Sequence, residues 1–186
     1  MGYLVEQLLF LARGDAGKTE LQKETVDLNG FMKEIYEESV MIDEAHPYRF
    51  ESYEDEALSV IADKGLLKQA VRILVDNAAK YTAPGDEITL SAGITESENG
   101  TPCAFLQVQD NGCGMQEADV THIFERFYRS EQVRQQKGTG LGLSIAKWII
   151  DKHGAHFEVL SRTGLGTRIR IVLPVEAMPC PSAASS

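Results

Sequence analysis

Apolar side chains recur at helical spacing in several stretches of this chain and alternate in shorter ones, so both kinds of element are predicted. In MGYLVEQLLFLARGD, Leu4, Val5, Leu8, Leu9 and Leu11 form a helical stripe with no capping residue ahead of it, and the segment reads as the end of a longer helix. A polar break from Asp15 to Thr25 follows. Leu28, Phe31, Met32, Ile35, Tyr36 and Val40 then mark a second helix, which Asp27 or Asn29 can cap. Short strands are expected around Tyr48 to Tyr53 and Ala57 to Ile61, and a helix from about Asp63 to Tyr81 that stops before Pro84-Gly85.

The second half changes period. Strands are expected at Glu87 to Ile94 and Cys103 to Asp110, joined by the turn-rich segment Glu96 to Pro102. A long polar stretch, Met115 to Lys137, is expected to be the mobile part of the chain. Helix returns at Gly140 to Lys152 and stops at Gly154; two last strands, His156 to Ser161 and Thr167 to Leu173, flank the Gly164-Leu165-Gly166 turn. The tail AMPCPSAASS is expected to be disordered. Strands grouped between helices without strict alternation point to an α+β fold, a two-layer sandwich with helices on one face of a mixed β-sheet.

A length of 186 residues allows one main domain, here expected to begin near Thr25, with short appendages. No apolar run approaches the roughly 20 residues needed to cross a bilayer, so no membrane contact is expected of this segment. The formal charge of −10 opposes a polyphosphate backbone, which argues against nucleic acid as a partner. Cys103, Cys113 and Cys180 show neither metal-ligand nor redox spacing and fit a reducing compartment.

Three segments carry candidate chemistry. On the helix ending at Tyr81, Leu67, Ala70, Val71, Leu74 and Ala78 form one apolar arc, with Asn77 at its edge and Ile73 and Lys80 beside it, so an amide and an ammonium border the core. An ordinary solvated helix edge would look the same. In Ala104 to Asp110 the alternation puts Asp110 on the face of Leu106 and Val108, where it could accept from a donor such as the exocyclic amine of adenine; a turn in which Asp110 bonds its neighbours' amides is the plainer alternative. Gly112 and Gly114 would then let a flat base lie against the backbone. Gly138-Thr139-Gly140-Leu141-Gly142-Leu143-Ser144 leads into a helix whose first amides and dipole favour phosphate, although it is neither a P-loop nor a dinucleotide fingerprint. Just ahead of it Arg126, Arg129, Arg134 and Lys137 outnumber Glu125 and Glu131, a cationic excess suited to a lid over polyphosphate.

Taken in order, ILVDNAAKYT resembles the N box, DNGCGM the first glycine box, IFERFYR the F box, GTGLGLS the second and GLGT the third glycine box of the catalytic ATP-binding domain of sensor histidine kinases, over residues 25 to 175. That domain shares the Bergerat ATP-binding fold with the ATPase domains of type II topoisomerases, the Hsp90 chaperones and the MutL proteins. The resemblance implies that Asn77 coordinates Mg²⁺, Lys80 reaches phosphate, Tyr81 lies near the base and Asp110 accepts from the adenine amine. It further implies that Gly112 and Gly114 shape the base pocket, that Phe124 and Phe127 anchor the lid, and that Thr167 lies on the adenine side. Lys137, Gly138, Thr139, Gly140, Leu141, Gly142 and Leu143 would take the phosphates, with Arg126 and Arg129 as candidates for the γ-phosphate.

Two departures from the family pattern stand out. Ile73 occupies a position where many members carry a second polar residue, and where the related ATPases carry the acid that activates water. No acceptor motif of the His-Glu-x-x-Thr-Pro type is present, and none of His46, His122, His153 and His156 resembles an acceptor. The resemblance therefore implies residues 1–14 as the end of the dimerisation and phosphoacceptor hairpin, 15–24 as a linker and 176–186 as a tail, with the acceptor histidine upstream of Met1. It implies ATP and Mg²⁺ as cofactors, and as partners the phosphoacceptor domain of the same, dimeric, full-length protein and the receiver domain of a response regulator. It places this part in the cytoplasm, within a full-length protein anchored in a membrane. The alternatives are an ATPase coupled to conformational work and a non-catalytic nucleotide-binding module.

Overall fold

The computed structural model describes residues 2–53, 58–131, 134 and 136–175. In chain order these form α1 (Gly2–Asp15), β1 (Glu24–Asp27), α2 (Leu28–Ile42), β2 (Tyr48–Ser52), β3 (Ser59–Ala62), α3 (Lys64–Tyr81), β4 (Ile88–Glu96), β5 (Pro102–Asp110), α4 (Glu117–Val120), α5 (Gly142–Lys152), β6 (His156–Arg162) and β7 (Gly166–Pro174). The expected tail and the start of the strand expected from Ala57 lie outside the described residues.

Five strands make one mixed sheet in the order β2-β4-β5-β7-β6, with β2 parallel to β4 and the other pairs antiparallel. Because side chains alternate across a sheet, register decides what meets the helices. Leu90, Val108 and Ile169 lie in one cross-strand row, Ala92, Leu106 and Ile171 in the next, and all are buried. Their face is covered by α2 through Phe31, Met32 and Ile35, by α3 through Leu67, Ala70, Val71 and Leu74, and by α5 through Ile145, Ile149 and Ile150. This is the expected two-layer sandwich. On the other face Arg170 lies 4.2 Å over the Phe105 ring and donates to Gln107 Oε1, which is why Phe105 and Gln107 are buried without a helix above them.

The helices start where the sequence supplies caps. Asp27 accepts from the Asn29 and Gly30 amides, so Asp27 and not Asn29 opens α2. Asp63 accepts from the Leu66 amide and opens α3. Its own amide donates to His153 Nε2 at 3.0 Å, while His153 Nδ1 donates to the Ile149 carbonyl at 2.7 Å, so this buried neutral imidazole joins the start of α3 to the end of α5. Lys68 reaches both Glu34 and Glu38 and ties α3 to α2.

Two parts differ from the sequence reading. The polar break ends in a strand: β1 pairs antiparallel with β3, Val26 opposite Val60, and holds the start of α2. And α1 is docked on α5, with Phe10 edge-on to Trp148 at 5.1 Å and Leu11 buried. Gly14 allows this approach, since a Cβ there would stand 2.5 Å from the Trp148 ring.

Candidate functional site

A cavity of about 300 Å³ opens at the end of the core where α3, β5, β7, the glycine-rich start of α5 and the segment after α4 converge. That is the usual lower size for a small-molecule site. Its apolar wall is Leu74, Ala78, Val108, Met115, Ile123 and Ile169.

Asp110 marks the polar end of this wall. It is the last residue of β5, 8% exposed, and in register with Ile88 on one side and Thr167 on the other. Its Oδ1 accepts from the Gly112 amide at 2.8 Å and the Thr167 amide at 3.2 Å. Both bonds fall on one oxygen, which leaves Oδ2 as the acceptor for an incoming donor. Burial pushes the carboxyl above the usual aspartate range, opposed by the two amides and by the Thr82 hydroxyl beside it. The plainer alternative and the functional one therefore coexist: one oxygen closes the turn and the other remains.

Gly114 lines the cavity, and the fold itself gives a reason for glycine at both 112 and 114. A Cβ on Gly112 would stand 2.3 Å from the Tyr81 carbonyl oxygen, and one on Gly114, whose φ is +65°, would stand 1.9 Å from that of Arg162. The protein's own backbone occupies the space each missing side chain leaves. These contacts stitch the end of α3 and the β6-β7 turn to the loop carrying Asp110.

At the other end, Gly138, Thr139, Gly140, Gly142 and Leu143 line the cavity. No side chain caps the first turn of α5, so the positive end of that helix is open to a ligand. Lys80 Nζ lies 4.9 Å over the Tyr81 ring and 2.5 Å from where a Cβ on Gly138 would be, which brings the ammonium to the glycine segment. Asn77, Tyr81, Arg129, Lys137 and Thr167 also line the cavity, and Arg129 donates to the Gln136 carbonyl.

The remaining sequence candidates stand outside it. Leu141 is wholly buried beneath the glycine segment. Phe124 stacks on Phe157 at 4.6 Å and so ties the segment after α4 to β6. Phe127 does not anchor through its ring, which is exposed; its backbone, at φ +64°, lies against Gly140 and its amide donates to the Gly140 carbonyl at 2.9 Å. Arg126 pairs with Asp15 at the end of α1.

Tyr3, Gln7, Cys113, Tyr128 and Ser130 also line the cavity and were not among the sequence candidates. Gln7 Oε1 accepts from the Thr139 hydroxyl at 2.8 Å, a contact across 132 residues that no local pattern encodes. Val108 and Ile169 could have been found, because alternation along β5 and β7 places them on the face of Asp110 and Thr167.

Among the described residues no group of three or more His, Cys, Asp or Glu could hold a metal ion. Asn77 lines the cavity and offers a neutral amide oxygen. That set fits an ion which keeps its waters and takes the rest of its ligands from phosphate oxygens, as Mg²⁺ does. Among the described residues no helix is long and apolar enough to cross a membrane.

Residues 62–177 match the model of the family described as histidine kinase-, DNA gyrase B-, and HSP90-like ATPase. Among curated proteins, the sensor histidine kinase YkoH of Bacillus subtilis is 39% identical over 178 residues, covering 91% of this chain and 36% of its own length. The sensor histidine kinase WalK of the same organism is 34% identical, covering 92% and 28%. The chain thus spans about a third of the length of these relatives. Among solved structures, the mycobacterial sensor histidine kinase MprB superposes with a TM-score of 0.68 at 29% identity, covering 83% of this chain and 99% of that one.

Proposed function

Because this chain belongs to the histidine kinase-, DNA gyrase B- and HSP90-like ATPase family, we propose that it is the catalytic ATP-binding domain of a sensor histidine kinase in a two-component system. The observation that carries this is the single cavity with a buried carboxylate at one end and an uncapped helix start with Lys80, Arg129 and Lys137 at the other. A purine with an exocyclic amine fits the first and a triphosphate the second.

In this reading Asp110 Oδ2 accepts from the adenine amine, Thr167 stands beside it, and Tyr81 borders the nucleotide. The amides of Gly140, Gly142 and Leu143, with Lys80, Lys137 and Arg129, hold the phosphates, and Arg126 joins them if it leaves Asp15. Bound Mg²⁺, held by Asn77 and phosphate oxygens, would neutralise charge on the β- and γ-phosphates. A histidine nitrogen on a separate dimerisation domain attacks the γ-phosphorus in line, the bond to the β,γ-bridging oxygen breaks, and ADP leaves. The chain's own contribution is positioning and electrostatics.

Residues 1–14 are read as the end of the dimerisation hairpin, 15–24 as a linker and 25–175 as the catalytic domain, with a receiver domain as the next phosphoryl acceptor and the cytoplasm as the site of action. Incubating the chain with γ-labelled ATP and Mg²⁺ tests this. Calorimetry should show nucleotide binding, the chain alone should take no acid-labile, alkali-stable label, and a supplied hairpin domain bearing the acceptor histidine should. Robust multiple-turnover phosphate release, or no binding, would overturn the proposal.

A further inference from the structure

Thr82, the residue that closes α3, has a hydroxyl that the fold leaves unsatisfied. The residue is 6% exposed, and its Oγ1 is buried with no hydrogen-bond partner. Native proteins hold few such groups, because burial removes water and offers nothing in return. The hydroxyl is also held in place. Its own carbonyl accepts from His46 Nε2 at 3.1 Å, and the preceding carbonyl, of Tyr81, accepts from the Cys113 amide at 3.2 Å. Those bonds fix Thr82 against the loop that carries Asp110. The hydroxyl lies beside the Asp110 carboxyl, close enough to favour its charged form and yet out of hydrogen-bonding alignment.

The Asp110 carboxylate is therefore asymmetric in its support. Two backbone amides hold Oδ1, and none holds Oδ2, the oxygen left for a ligand. We propose that Thr82 is a specificity-positioning residue of the nucleotide site: its hydroxyl turns to donate to the Asp110 carboxylate when a purine binds, holding Oδ2 as an acceptor for the exocyclic amine of adenine. The inference rests on the nucleotide-binding reading above. The Thr82 oxygen must shift by rotation about Cα–Cβ to come into line with the carboxylate, and its hydroxyl, once there, can direct its proton at either carboxylate oxygen. Thr82 itself need not touch the base, and it does not line the cavity.

The test compares ATP with purine riboside triphosphate, which lacks the 6-amino group, on the wild-type chain and on Thr82→Val and Thr82→Ser, by calorimetry. Valine keeps the shape and removes the donor; serine keeps the donor. Thr82→Val should weaken ATP about tenfold, the scale of one hydrogen bond to a charged group, and leave purine riboside triphosphate within about twofold. Thr82→Ser should bind both like wild type. Equal weakening of both nucleotides by Thr82→Val, or of neither, would overturn the positioning role. Failure of the wild-type chain to bind ATP would instead remove the nucleotide site itself. Circular dichroism on each variant separates these outcomes from unfolding, and the two-nucleotide ratio is read within one variant.

Discussion

The carboxylate of Asp15 holds the guanidinium of Arg126 with both oxygens, Nη2 donating at 2.9 and 2.8 Å across 111 residues of chain. The end of α1 thus restrains a cation that the nucleotide reading assigns to the γ-phosphate. Both side chains are about half exposed, so the pair contributes at most about 1 kcal/mol to stability. Asp15→Asn should therefore barely move the thermal midpoint. It should tighten ATP binding about threefold at low salt, with the gain shrinking as salt screens it. Titration calorimetry at two ionic strengths checks this, and unchanged affinity at low salt would remove Arg126 from the phosphate ligands.

Asp110→Asn separates fold from recognition better than alanine does. Asparagine can still accept the Gly112 and Thr167 amides on its oxygen, whereas alanine would strand both in a buried place. Its amide nitrogen then replaces the free oxygen and opposes a donor with a donor. ATP affinity should fall about a hundredfold, with the far-ultraviolet spectrum unchanged. In the wild-type chain burial raises the Asp110 carboxyl, so ATP affinity should fall on acidification at a pH above the ordinary aspartate value of about 4. Equal affinity of wild type and Asp110→Asn would place the adenine elsewhere.

The parts of this site that could be read from sequence are those with a period. Asn77 and Lys80 beside the Leu67-to-Ala78 arc, and Asp110 on the face of Leu106 and Val108, follow from helical and strand geometry and stand where expected. The strand Glu24–Asp27 escaped because only Val26 among its residues is buried; it exists through its pairing with β3, which lies far along the chain. The reach of α1 into the cavity through Gln7, and the use of Gly112 and Gly114 by the carbonyls of Tyr81 and Arg162, are likewise contacts between distant segments. For Phe127 the resemblance implied an anchor; the ring is exposed, and it is the left-handed backbone that meets Gly140.

His46 gives the fold a pH dependence of defined sign. Nδ1 lies 2.7 Å from Asp43 Oδ2 and Nε2 lies 3.1 Å from the Thr82 carbonyl, and only the imidazolium can donate to both. Burial works against that charge, but the bonds to Asp43 and Thr82 and the charges of Asp43 and Asp86 outweigh it, and the pKa is raised. Asp43 is half-buried, which acts to raise its carboxyl, yet bonds from Tyr48, His46 and the Ala45 amide hold it below the ordinary range. Stability from His46 is thus fully present below its unfolded value of about 6.5 and is lost as pH rises through the folded one. That from Asp43 is present above about 3.9 and lost as pH falls. Urea midpoints of wild type and His46→Gln should differ most near about pH 5.5 and converge in alkali; a difference independent of pH would show that the imidazole is neutral.

In the proposed nucleotide site, Ile73 would decide how Mg²⁺ is held. A Cβ on Gly142 would stand 3.4 Å from Ile73 Cγ2, so this side chain fills the contact between α3 and the glycine-rich start of α5. It does so one helical turn before Asn77, where a polar residue would add an oxygen ligand. With isoleucine there, Asn77 is left with water and phosphate oxygens, and ATP binding should depend only weakly on Mg²⁺. Ile73→Asn should lower stability by about 1 kcal/mol through lost packing. It should also raise the ratio of ATP affinities with and without Mg²⁺ about threefold, on the scale of one added neutral ligand. Calorimetry in Mg²⁺ and in chelator measures that ratio. An unchanged ratio in a folded variant would mean that the ion sits away from this strip of α3, and Asn77 would lose its assignment with it.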